Sequence, residues 1–341
     1  MNDSYKPGGA ERAVRVEDVA REAGVSPITV SRALSSPQKV RAETRERVMD
    51  AVARTGYVVN PIASSLRSGR STVVTVFTAS LQNPHFAAAT QGTIDAFEGS
   101  RYQLMFAQTG YSEQLRADVV ESSLPFRPAG VMFTGLVRDE GTRAAVGQLN
   151  VPVIEMWGDG IEAIDMLVGS STIEGGRLMG QHFGERGYRH IAYCGHTIDR
   201  GGDRLAGFRT GLEPFGRSVE YVLPLEGTRT FADGMAALDR ILTDLPECDA
   251  IFFGTDILAV GAIIIAHKKG IAIPGQVALA GYGDLEFAAH IDPPLTTIDV
   301  SDYEMGRLAG QMLRRRLEGG QVFEPVVQVP VTLRARESTA K

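Results

Sequence analysis

Residues 16–34 read VEDVAREAGVSPITVSRAL, and the first unit of the fold follows from their spacing. Val16, Val19, Ala20 and Ala23 stand at i, i+3, i+4 and i+7, the stripe of an amphipathic helix. Gly24 tolerates the left-handed conformation that ends such a helix. Ser26 offers a side-chain oxygen as N-cap, and Pro27 lacks an N–H where none would find a helical partner. The second helix is expected to run to about Leu34, with Ile28, Val30, Ala33 and Leu34 as its apolar residues. A third runs from about Ala42 to Gly56, with Val48, Ala51 and Val52 facing inward. Ala20 is small where two helices cross, Val25 and Val30 anchor the second helix, and Thr29, Ser31 and Arg32 stay outside. That is a helix-turn-helix, whose second helix fits the major groove of DNA. An ordinary helical hairpin is the plainer alternative.

Charge supports the nucleic-acid reading once it is divided along the chain. The formal net charge of the 341 residues is −6. Residues 1–70 nevertheless carry 12 Lys and Arg against 8 Asp and Glu, while the remainder carries 23 against 33. A basic head on an acidic body places anion binding in the head. The composition, 43% hydrophobic and 22% charged, is that of a globular protein. No stretch approaches the ~20 apolar residues of a membrane helix, and the opening MNDSYKPGGAER has no apolar core of a secretory signal. Cys194 and Cys248 alone do not make a disulfide framework. The expected compartment is therefore the cytoplasm, with no membrane partner.

From Val73 the pattern changes to alternating strands and helices. VVTVF (73–77) is a continuous apolar run suited to a strand covered on both faces. Strand-like segments recur at 103–107, 130–134, 151–157, 190–195, 250–254 and 277–283. Helical segments lie at 86–97, 172–187, 204–213, 231–244 and 257–269. This alternation means an α/β core long enough for two doubly wound lobes. Between head and body, Asn60 can cap and Pro61 can begin a helix of about two turns, too short to be stable without a packing partner. That describes a switchable hinge.

The segments D-V-A-x-x-A-G-V-S-x-x-T-V-S-R-x-L, V-x-x-x-T-R-E-R-V and G-Y-x-x-N-P-x-A-x-x-L, within residues 16–66, resemble the lactose/galactose-repressor (LacI/GalR) family. The likeness continues in R-L-A-G-F (204–208), T-D-x-L-A-V-G-A (255–262) and P-P-L-T-T-I (293–298), so it spans about Arg15 to Arg336. Within the family, 151–157 and 186–195 are similar to gluconate-operon repressors. The resemblance implies a head at 1–59, a hinge at 60–71 and a core at 72–341 folded like a periplasmic binding protein. Lobe 1 would take about 72–169 and 301–328, and lobe 2 about 170–300 and 329–337. It also implies a homodimer on a pseudo-palindromic operator, with no cofactor and no catalysis. Arg32 would reach guanine, while Ser26, Thr29 and Ser31 would position phosphates. Pro27 and Ile28 would meet a thymine methyl, Asn60 would cap the hinge helix, Ala63 would let two hinge helices approach, and Leu66 would wedge into the minor groove.

For a family member the effector enters between the lobes, at the C-terminal ends of strands. Arg204 matches the family's effector-binding arginine and suits hydroxyls or a carboxylate. Asn83 and Phe86 would supply a hydrogen bond and a wall. Trp157 would stack on a sugar ring or else fill the core. Thr255 and Asp256 would contact ligand, or Asp256 would cap the next helix. Many sugar-responsive members carry an aspartate directly after Gly281-Tyr282. Here Gly283 stands there and Asp284 follows, which favours a sugar acid such as gluconate over a neutral sugar. Glu155 either approaches the cleft or ties two strands together. The ligand either induces or co-represses. Two rivals remain: a soluble sugar-binding protein, which would lack the helix-turn-helix, and a cytoplasmic sugar-acid enzyme, which would need a phosphate loop. The six histidines are scattered without metal spacing, and no Walker A, G-x-S-x-G or H-E-x-x-H motif occurs.

Overall fold

A computed structural model describes residues 14–35, 37–58, 71–110, 113–158, 163–225 and 230–340. The chain divides into two compact units, Met1–Ser71 and Thr72–Lys341.

The first unit contains α1 (Val16–Ala23), α2 (Pro27–Ser35) and α3 (Ala42–Thr55). Gly24 ends α1 at φ 64°, and the Val25 N–H donates to the Ala20 carbonyl at 3.0 Å, which closes the tight turn. Val19, Val30, Val48 and Ala51 are fully buried where the helices meet. Arg54 of α3 pairs with Glu22 of α1 at 2.9 Å. Both side chains are largely exposed, so the pair adds little beside the apolar contacts.

In the second unit the chain runs β1 (Val73–Thr78), α4 (Pro84–Phe97), β2 (Gln103–Gln108), α5 (Glu113–Ser123), β3 (Gly130–Phe133), α6 (Glu140–Gln148), β4 (Val153–Met156) and β5 (Met166–Gly169). It continues through α7 (Thr172–Glu185), β6 (Ile191–Gly195), α8 (Asp199–Leu212), β7 (Val219–Pro224), α9 (Phe231–Asp244), β8 (Ala250–Phe253), α10 (Asp256–Lys269), β9 (Ala278–Ala280) and β10 (Thr297–Asp299). The remaining elements are α11 (Asp302–Leu317), β11 (Val326–Gln328) and β12 (Thr332–Arg334). Two parallel sheets result, in the orders β11-β5-β4-β3-β1-β2 and β7-β6-β8-β9, with β10 and β12 as an antiparallel ribbon. Strands β3, β4, β5, β6 and β8 are buried along their whole length, as strands covered by helices on both faces must be. The chain passes from one lobe to the other at 169–172, 299–302 and 328–332.

Where sequence pattern was strong, the elements agree to within a few residues. Helix α8 starts at Asp199 rather than 204. Gly201 and Gly202 weaken the helical signal, yet at Gly201 a side chain would overlap His196, so the close approach needs a glycine. Helices α5, α6 and α11 and strands β5, β7, β10, β11 and β12 had no sequence expectation. Among the described residues no helix is long and apolar enough to cross a membrane.

Candidate functional site

The N-terminal end of α2 is organised by Ser26. Its Oγ accepts the Thr29 N–H at 3.2 Å, the bond of an N-cap residue. The Ser26 and Thr29 hydroxyls also lie 2.9 Å apart. Two hydroxyls hold two protons and their mutual bond uses one, so the pair keeps one O–H to donate outward. Val30 and Ala33 face the core. Ser26, Pro27, Ile28 and Arg32 are exposed, Thr29 and Ser31 half-buried. Ile28 is 64% exposed, an apolar side chain standing beside a guanidinium on one outward face. Asn60, Ala63 and Leu66 lie outside the described residues.

In the second unit, topology locates a second site. Strand order reverses between β1 and β3 in one sheet and between β6 and β8 in the other. Loops leaving the C-terminal ends of strands diverge there and open a crevice. The loop after β1 carries Asn83, His85 and Phe86. Trp157 directly follows β4, Arg200 and Arg204 lie on α8 after β6, Thr255 and Asp256 follow β8, and Tyr282 to Asp284 follow β9.

Arg204 is fixed from three sides. Its Nη1 donates to the Gly254 carbonyl at 2.8 Å, its guanidinium lies 3.9 Å over the Tyr282 ring, and its charge lies near the Tyr193 phenol, whose pKa burial raises while Arg204 draws it down. Arg204 Nε and the Tyr282 hydroxyl are buried with no hydrogen-bond partner among the described residues. Nor does Arg204 pair with any described carboxylate. Helix α8 carries Arg204 close to α7, because Gly176 faces the Arg204 carbonyl across a gap that admits no Cβ.

Trp157 is 4% exposed and holds φ 57°. Its Nε1 donates to Asp302 Oδ1 at 3.0 Å, and its ring meets Phe86 edge-on with centroids 5.0 Å apart. Across the lobes, the Arg200 guanidinium stands 6.0 Å from the indole centroid. The residue therefore belongs to the core of lobe 1 and to the crevice wall at once.

Several expectations change. Asn83 is the N-cap of α4, its Oδ1 accepting the His85 N–H at 3.1 Å, so it shapes the loop. Thr255 caps α10 by accepting from Leu258 N at 3.4 Å. Asp256 does not cap that helix: its carboxylate, fully buried, accepts from Thr297 Oγ1 at 2.5 Å and Leu285 N at 2.8 Å. Burial pushes its pKa up to about 6, against the pull of those two hydrogen bonds. Asp284, expected at the effector, gives its carboxylate to Arg336 at 2.6 Å and Arg334 at 3.7 Å. Glu155 ties loops together, accepting from Val137 N and Ile164 N at 2.7 Å each.

Sequence reasoning missed Arg200, His85, Asp302 and Tyr282. Arg200 had a usable signal, since it precedes Arg204 by four and shares its helix face. Asp302 had none, because α11 was not foreseen. No group of three or more His, Cys, Asp or Glu among the described residues could hold a metal ion.

Comparison with known proteins agrees with both halves. Residues 15–60 match the bacterial regulatory proteins of the lacI family, and residues 181–339 match the periplasmic binding protein-like domain. The chain is 32% identical to the HTH-type transcriptional regulator GntR of Pseudomonas aeruginosa, over 95% of each sequence. A transcriptional regulator of the same family from Silicibacter pomeroyi superposes with TM-score 0.89 at 30% identity, covering 96% of this chain and 100% of that one. The lac repressor dimer bound to operator and the anti-inducer ONPF gives TM-score 0.82 at 25% identity, over 97% and 100%.

Proposed function

This chain belongs to the lacI family of bacterial regulatory proteins, and from that premise we propose that it represses a carbohydrate-utilisation operon and leaves its operator when a sugar acid such as gluconate enters the crevice. It is a DNA-binding transcriptional regulator and not an enzyme. In the proposed division, residues 1–59 read the operator, 60–71 form the hinge and 72–341 bind effector and a second copy of the chain. Two heads would then occupy the half-sites of a pseudo-palindrome, with paired hinge helices between them. A helix of about two turns forms only against a partner, so an effector that parts the lobes of two subunits would melt the hinges and release the DNA.

The observation that carries the effector class is Arg204. A partly buried guanidinium without a counter-ion is costly, and a ligand carboxylate offsets that cost where a neutral hydroxyl does not. Arg200 on the same helix face adds a second positive group. Asp284, the one acidic residue reasoned toward the ligand after β9, is consumed by Arg334 and Arg336. The test is calorimetry on the whole chain with gluconate, 2-ketogluconate and neutral hexoses. Uptake of a sugar acid in preference to hexoses is expected, and binding of a neutral hexose alone overturns the sugar-acid assignment.

A further inference from the structure

Asp284 and Asp299 share one guanidinium. Asp284 stands in the crevice wall after β9, and Asp299 ends β10, where the chain leaves lobe 2 for lobe 1. Arg334, on the antiparallel partner strand β12, donates from Nη2 to Asp299 Oδ2 at 2.7 Å. Its Nε lies 3.7 Å from Asp284 Oδ2, and Arg336 takes the other oxygen of Asp284 at 2.6 Å. The backbone joins the same two places: Gly283 bridges to Asp299, and its N–H donates to the Ile298 carbonyl at 2.7 Å. Strand β10 leads into one passage between the lobes and β12 leads out of another, so the guanidinium sits where two passages meet the wall.

Beyond Asp299 the chain turns a corner. Asp299 Oδ1 accepts the Ser301 N–H at 2.8 Å and its hydroxyl at 3.2 Å. Ser301 holds φ 51° and ψ 47°, a left-handed conformation that a residue with a side chain keeps only where its surroundings impose it. Its carbonyl accepts the Met305 N–H at 2.9 Å, the first bond of α11. The next residue, Asp302, holds the Trp157 indole N–H at 3.0 Å and His85 Nδ1 at 2.5 Å, and His85 fills the space that a Cβ on Gly283 would need. Asp284, at the wall, is also left-handed, at φ 51°. Arg334 therefore stands between two imposed turns. Its side chain is 52% exposed, so its ion pairs add little to stability.

We propose that Arg334 is a positioning residue that couples the crevice wall at Asp284 to the corner at Asp299 and Ser301, so that a shift of the wall reorients the start of α11. The proposal rests on the reading of the crevice as an effector site that controls DNA binding. Without the guanidinium the wall can still receive a ligand, but the corner no longer follows it. An ammonium is a point charge and serves one carboxylate at a time, so lysine replaces only part of the link. Trp157, held by Asp302 one residue past the corner, reports the movement from inside the chain.

The experiment uses the full chain, gluconate as ligand and a labelled duplex selected from a random pool by binding to the parent. Arg334→Gln, Arg334→Lys and Arg334→Gln with Ser301→Gly are compared with the parent, and Asp299→Asn replaces Arg334→Gln should that variant not fold. In the free protein, Arg334→Gln should shift the Trp157 emission, and adding Ser301→Gly should return it, because glycine keeps the left-handed corner without help. Gluconate should weaken the parent's hold on the duplex by about fivefold or more. In Arg334→Gln the gluconate Kd should stay within about threefold of the parent's while that weakening falls by at least about half, with Arg334→Lys in between. Parental weakening in Arg334→Gln overturns the proposal, as does a lower melting temperature with emission and weakening unchanged. Gluconate that neither binds the parent nor loosens its DNA overturns the sugar-acid reading instead. The free-protein spectra then decide alone, and identical emission in every variant removes Arg334 from the corner.

Discussion

The indole N–H of Trp157, at the end of β4, donates to Asp302 Oδ1, at the start of α11, over 3.0 Å and across 145 residues of sequence. One carboxylate thereby sets the angle of the only tryptophan in the chain, and that ring faces Arg200 of the other lobe. Asp302→Ala removes the acceptor and leaves an indole donor nearly buried, a loss of about 1–3 kcal/mol. The variant should melt at a lower temperature and shift its tryptophan emission. An emission spectrum identical to the parent's would show that the bond does not hold the ring.

Arg204 should be intolerant even of lysine. An ammonium cannot at once donate to Gly254, stack on Tyr282 and present a planar fork to a ligand. Arg204→Lys is expected to lower effector affinity about 10- to 100-fold, the equivalent of about 1.5–3 kcal/mol for a charged hydrogen bond. Calorimetry with the effector checks it, and parental affinity would remove Arg204 from the site.

On the head, Arg32 and Ile28 share the outward face of α2. Arg32→Ala should erase the preference for operator over random DNA, by about 1–3 kcal/mol for one lost guanine contact. The salt-dependent affinity for random duplex should fall far less. Titrations on both DNAs at two salt concentrations separate the cases, and equal loss on both would make Arg32 a phosphate contact.

Two buried groups give opposite pH slopes. Asp256 has its pKa raised to about 6, so its protonated form suits the fold. Its contribution is fully present below the unfolded value near 3.8 and is lost as pH rises through 6. His182 hydrogen-bonds Thr339 at 2.8 Å and burial lowers its pKa to about 4. The unfolded chain takes up that proton first, so stability is lost as pH falls from about 6.5 toward 4. Each term is on the order of 3 kcal/mol. Asp256→Asn should gain stability relative to the parent as pH rises from 4 to 7, and His182→Gln should gain as pH falls across the same interval. Urea titrations at pH 4.5 and 7 measure both, and parallel profiles in all three proteins would refute the assignment.

Much of the architecture was readable because periodicity is local. The α2 cap at Ser26, the turn at Gly24 and the fully apolar strands all follow from neighbours within a few positions. Helix α8 shows where this stops: two glycines obscured its first turn, and only the packing of Gly201 against His196 and of Gly202 against the Thr197 carbonyl explains it.

The candidate crevice was legible by type and less so by role. Arg204 and Trp157 were found from motif and placement. Asn83, Thr255, Asp256 and Asp284 were also singled out, but all four are engaged in caps, loop bonds or ion pairs. A carboxylate or amide at the end of a strand looks the same in sequence whether it meets a ligand or its own backbone.

The sequence by itself determined a helix-turn-helix head, an alternating α/β body and the concentration of positive charge in the head, since each depends on order along the chain. Only the tertiary structure decided that Asp302 serves both His85 and Trp157, and that Gly283 makes room for the imidazole. Those partners come from segments 145 to 217 residues apart, brought together by three passages between lobes. No spacing rule reaches that far, because the distance is set by how two sheets close on each other.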